Sequence, residues 1–159
     1  MMKIVRGIIR SIQKRFVGAQ IKVRLLVVVS FVIFAYLGGD AAADNVKTIS
    51  NPQTVSQTLG ITSQETVTRA IILLLLSAVI CVASLATVIG AMQRTTLLRG
   101  WIVVTVVFAL YAIYQIAFAI IQLHSSQLQA FVPVIYLVLS AAAYSFGRQA
   151  SRALDPAIH

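Results

Sequence analysis

Between Arg99 and Arg148 the chain carries no Lys, Arg, Asp or Glu, a run of 48 residues. As one helix rising 1.5 Å per residue, the run would be ~72 Å long, more than twice the ~30 Å hydrocarbon core of a bilayer. It must therefore double back. The polar break available for a turn is His124-Ser125-Ser126-Gln127, followed by Gln129 and Pro133. One span is expected near 100–123 and another near 128–147. Pro133 either sits at a helix start, where its missing N–H is tolerated, or kinks the last span.

A second charge-free run of 24 residues lies between Arg69 and Arg94, AIILLLLSAVICVASLATVIGAMQ. Twelve of these residues are Ile, Leu or Val, each favouring the helix centre by ~0.5 kcal/mol, which outweighs the scattered Ser and Thr. Thr62-Ser63-Gln64-Glu65 has the T-x-x-E form of a capping box, so a helix from about Ser63 to Met92 is expected, with the span near 68–92. The first apolar run, Leu25–Gly39, is shorter. Lys22 and Arg24 can snorkel to headgroups, and Ala41–Ala43 can extend the other end at the cost of Asp40, giving a span near 22–42. A cleavable secretory leader is the alternative for this segment; a retained span is the expectation.

Composition supports this reading. Hydrophobic residues make up 59% and charged residues 11% of the 159, too few polar groups to cover a water-soluble domain. The excess of apolar residues equally excludes disorder. The fold class expected is all-α: a polytopic membrane protein with four transmembrane helices in residues 21–147, an outer loop over 43–67, a short tail over 148–159, and an N-terminal amphipathic interfacial helix over 1–18.

The net charge of +9 has a topological pattern. Seven of the thirteen basic residues precede the first span, Arg94 and Arg99 lie between spans two and three, and Arg148 and Arg152 follow span four. Placing the N-terminus in the cytoplasm puts eleven of thirteen inside, with both termini on that side, in agreement with the positive-inside rule. Trp101 and Tyr144 then fall near the inner interface, and Tyr36 and Phe131 near the outer one. A bacterial inner membrane is expected, with the mitochondrial inner membrane as the alternative.

Residues 3–17 alternate with helical period. Lys3, Arg6, Arg10, Gln13 and Lys14 share one face; Val5, Ile8, Ile9, Ile12 and Phe16 share the other. Such a helix lies in the plane of a leaflet, with each basic residue near anionic lipid worth ~1 kcal/mol. Lys3, Arg6, Arg10, Lys14 and Arg15 are expected to dock on anionic headgroups or an acidic partner, and Gly18 to bend the chain into span one. The membrane accounts for this charge, so no nucleic-acid partner is expected.

In the outer loop, Asn51-Pro52 can start a short helix that Gly60 ends, with Val55 and Leu59 on one face against the bundle or the membrane surface. Within the spans, small residues mark close helix approach: Ser77, Cys81, Ser84 and Ala91 on span two, and Ser140, Ala143 and Gly147 on span four. In span three, Tyr111, Gln115, Phe118 and Gln122 recur at i, i+4, i+7 and i+11. A Gln in hydrocarbon needs a partner, so this face should point at protein. It can serve as an interhelical hydrogen bond within one bundle, as a groove for a lipid or quinone-like ligand, or as a subunit contact.

No ionisable group falls at a span centre, which argues against a proton-coupled transporter. His124 and His159 are isolated and Cys81 is the single cysteine, so no metal, haem or other cofactor is expected. No nucleotide-binding, zinc-hydrolase, serine-hydrolase or CxxC motif is present, and no enzyme activity is expected. The acidic residue of small multidrug exporters, the cysteine pairs of disulfide-forming membrane oxidoreductases and the Arg/Glu-rich signature of membrane eicosanoid–glutathione enzymes are all missing. The function expected is a non-catalytic membrane subunit that anchors, stabilises or assembles a larger complex, of a secretion or energy-transducing kind. The alternative is a homo-oligomeric neutral pore or a lipid-binding transport protein. The partners expected are lipids, other integral subunits or further copies of the chain.

Overall fold

The computed structural model describes the backbone of residues 2–92, 100–121 and 131–154, and the side chains of 21–92, 100–120 and 131–152. Among the described residues the protein is all-helical, with five helices and no strand: α1 (Met2–Ser50), α2 (Pro52–Leu59), α3 (Ser63–Met92), α4 (Gly100–Ile121) and α5 (Phe131–Leu154). Four of them contain segments long and apolar enough to cross a membrane: Ile21–Ser50, Ser63–Met92, Gly100–Ile120 and Phe131–Arg152.

The four long helices form a ring in which α1 lies beside α3, α3 beside α4, α4 beside α5, and α5 closes on α1. Neighbours run antiparallel: Gly100 at the start of α4 meets Thr87 late in α3, and Arg69 early in α3 meets Gln115 late in α4. The diagonal pair α1 and α4 touch through large side chains across the axis. Phe34 meets Phe108 edge-to-face with centroids 5.4 Å apart, and Phe31 meets Phe34 in the same way at 5.3 Å. Such geometry suits the ring quadrupoles. Phe31 and Phe108 are 0% exposed and Phe34 4%, so the middle of the bundle is filled. The outward faces, including Leu25, Leu75, Val82, Ile113 and Val138, are exposed and apolar, as a lipid solvent requires.

Small residues set the closest approaches. A Cβ on Gly38 of α1 would lie 2.9 Å from both the Ser77 carbonyl oxygen and the Cys81 nitrogen of α3, so these two helices meet backbone to backbone. A Cβ on Gly147 of α5 would collide with the Trp101 ring of α4. Four positions above it, Ala143 is fully buried, and Ser140 donates through Oγ to the Thr105 carbonyl at 2.9 Å. Ser77 and Ser84 are fully buried and Ala91 nearly so. Ser77 returns its hydroxyl to the Leu73 carbonyl at 2.7 Å, a bond internal to its own helix. Cys81 is half-buried beside Gly38 and Gly39.

Three features differ from the sequence expectation. The loop expected over 43–67 is helical as far as Ser50, because α1 continues well past the apolar run. Its polar side chains bond along their own helix: Asn45 to the Ala41 carbonyl at 2.7 Å, Thr48 to that of Asp44 at 3.0 Å, and Ser50 to that of Val46 at 3.0 Å. Lys47 pairs with Asp44 one turn away, a local support for an exposed helix. The tail expected from 148 is helical through Leu154. At the other end of α1 the helix continues through Gly18 without a break, where a bend was expected. The side chains of Lys3, Arg6, Arg10, Lys14 and Arg15 lie outside the described residues, as does Gln122.

The short connection has the geometry its residues imply. α2 begins with Pro52 after Asn51 and ends at Gly60 in the left-handed conformation, φ 68°, which glycine adopts at no steric cost. The capping box closes in both directions: the Thr62 N–H donates to Glu65 Oε2 at 3.0 Å, and the Glu65 N–H donates to Thr62 Oγ1 at 3.2 Å. This fixes where α3 starts, and hence the height of Arg69.

Candidate functional site

Arg69 stands less than two turns inside α3, half-buried against α4. Its Nη2 donates to Gln115 Oε1 at 2.7 Å, and its Cζ sits 3.9 Å above the centroid of the Phe118 ring. Gln115 and Phe118 occupy one face of α4, three residues apart, so one guanidinium reaches both. The arrangement combines a charge-assisted hydrogen bond with a cation–π contact. It answers the need of Gln115 for a partner from an unexpected source: Arg69 marked the edge of a span in the sequence, and in the bundle it turns inward.

One turn back on the same face of α4, Tyr111 is 5% exposed. Its ring stacks on Tyr136 of α5 with centroids 4.1 Å apart. On the facing helix, Asp40 and Asp44 of α1 are spaced one turn apart and point into the same region. These residues line a cavity of about 350 Å³ at the α2 end of the bundle, with Val55 and Leu59 of α2 supplying part of its apolar rim. This is within the size range of small-molecule sites. A second, more open hollow of about 440 Å³ lies beside Arg69, lined by Thr62, Glu65, Tyr114 and Phe118.

The charges around the first cavity, the one between α1 and α4, are separated. Asp44 is neutralised by Lys47, whose Nζ lies 2.9 Å from Oδ1. Asp40 and Arg69 line the same space, yet among the described residues neither makes an ion pair. The Arg69 Nε is buried without a hydrogen-bond partner among the described residues. A guanidinium has five N–H donors and its charge is costly to hold at membrane depth without a counter-ion. Among the described residues, the cavity lining therefore offers one cation and one carboxylate without an ion pair, together with two phenols and an amide. Such groups bind and orient a polar molecule. Among the described residues, no three His, Cys, Asp or Glu side chains come together as a metal site.

Of the face expected on span three, the structure brings Tyr111, Gln115 and Phe118 to this region, whereas Gln122 lies outside the described residues. The small residues of α3 and α5 lie elsewhere, at helix crossings. The sequence reading missed Asp40, Asp44, Arg69 and Tyr136. The i, i+4 spacing of the two aspartates, directly after an apolar run, was the signal that they share a helical face. The chain matches no protein-family model, no curated protein and no solved structure.

Proposed function

We propose that the protein is a non-catalytic integral membrane subunit that anchors, stabilises or assembles a larger complex in a bacterial inner membrane, with both termini cytoplasmic and the α2 end outside. The observation that carries this reading is the filled axis. Phe31, Phe34 and Phe108 close the middle of the bundle, so one copy has no lumen, and its working surfaces are its outward faces and its ends. The asymmetry of basic residues supports the orientation, and the basic stretch at the start of α1 supports docking on anionic headgroups or an acidic partner.

Gentle extraction into nanodiscs followed by native mass spectrometry tests the proposal. The expected result is a stoichiometric assembly with other integral chains, lost when Lys3, Arg6, Arg10, Lys14 and Arg15 are all replaced by Gln. A stable monomer with no associated chain overturns it.

A second reading, a membrane protein that binds a lipid or small polar molecule, is favoured by the cavity between α1, α3, α4 and α5. Here the expected result is a non-protein molecule retained by the isolated chain, and an empty protein under all conditions removes this reading.

A further inference from the structure

We infer that the cavity at the α2 end takes a zwitterion: a ligand carrying an ammonium and a phosphate or carboxylate a few ångströms apart. This rests on the second, ligand-binding reading above and names its ligand class.

Three observations point to that chemistry. First, Arg69 and Asp40 border one space without pairing with each other. Opposite charges that face the same cavity from different helices leave room for a molecule that bridges them. Second, the remaining carboxylate, Asp44, is already balanced by Lys47, so among the described residues lining the cavity the unmatched charges number one of each sign. A purely anionic ligand would satisfy Arg69 and meet repulsion from Asp40; a purely cationic one would do the reverse. Third, the same cavity is lined by Tyr111, Tyr136 and Gln115. Phenol and amide oxygens accept from an ammonium, and hydroxyl and amide N–H groups donate to oxyanions. The hydrogen bond from Arg69 to Gln115 and the Phe118 ring beneath it hold the guanidinium in place. It is therefore pre-organised to accept an anion rather than free to fold back toward Asp40.

The same chemistry is carried by an ethanolamine phospholipid headgroup and by a free zwitterion such as phosphoethanolamine or glycine. The full chain in nanodiscs separates these sources. In the lipid arm, discs containing phosphatidylethanolamine are compared with discs of phosphatidylglycerol alone, and retained lipid is read by native mass spectrometry. In the soluble arm, O-phosphoethanolamine, glycine and inorganic phosphate are added to phosphatidylglycerol discs, and the thermal midpoint is followed.

The expected result is preferential retention of the ethanolamine lipid, or a rise in midpoint with a zwitterion that phosphate does not produce. Whichever response is seen should fall at least tenfold in apparent affinity in Asp40→Asn and in Arg69→Gln. Asp40 is exposed and its amide variant should fold, as circular dichroism will report; if Arg69→Gln does not fold, Asp40→Asn decides alone. Equal retention of both lipids together with no zwitterion response beyond that of phosphate, or indifference of the observed response to Asp40→Asn, overturns the inference while leaving a ligand-binding protein in place. Absence of any retained lipid or solute response in the unaltered chain overturns both.

Discussion

The middle of the bundle and its α2 end are built from the same four helices but solve opposite problems. Away from the α2 end, Gly38 lets α1 touch the α3 backbone, three phenylalanines close the axis, and Gly147 receives the Trp101 ring at the far end. At the α2 end the facing residues are Asp40, Asp44, Arg69 and Gln115, and a cavity remains. Apolar side chains in a bilayer gain from contact with one another only where they pack more closely than lipid does. Polar and charged side chains gain only where their donors and acceptors are met. The first rule eliminates space and the second preserves it, so one helix pair can be both a tight joint and the wall of a site, two residues apart on α1.

The contrast predicts a gradient of mutational sensitivity. Gly38→Val should have the largest effect, since its side chain must displace the α3 backbone rather than a flexible neighbour. A loss of ~3 kcal/mol is expected, at the upper end for overpacking, measured as a shift in unfolding by sodium dodecyl sulfate from bicelles. If it melts like the unaltered chain, the backbone contact between α1 and α3 is wrong. Gln115→Leu should cost less, ~1–1.5 kcal/mol. It removes the acceptor of Arg69, but hydrogen bonds between membrane helices are worth ~0.6 kcal/mol on average and ~1.7 at most. A loss as large as that of Gly38→Val would mean that the polar end, and not the packed middle, holds the bundle together. Thr62→Ala should have the smallest effect, ~1 kcal/mol, because it breaks one half of an exposed capping box. Hydrogen exchange should show faster opening confined to the first turn of α3; uniform acceleration along α3 would contradict local capping.

The sequence was informative where a local rule acts alone. Charge-free runs mark the helices that can cross a membrane. Thr62 and Glu65 mark the α3 start, and Asn51, Pro52 and Gly60 bracket α2, since each signal depends only on neighbours in the chain. The limit of α1 was not legible. Residues 43–50 look like a loop by polarity, and their side chains instead bond back to their own helix. The site was half legible. Gln115 announces that it needs a partner because an amide in hydrocarbon is costly, but its partner sits 46 positions away in the chain. Arg69 closes a charged boundary, and nothing in its neighbours tells whether it snorkels outward or turns in. Gly38 is silent for a related reason: one glycine near a helix end reads as a weak point until a second helix is laid against it.

The glycine joint has a mechanical consequence. Because α1 meets the α3 main chain directly at Gly38, the two helices resist sliding past each other when the surrounding bilayer thins or thickens. They tilt as one body, carrying Asp40 and Arg69 along together. The gap between acid and base then works as a fixed ruler, whose graduation is set by peptide geometry and does not vary with the thickness of the lipid around it.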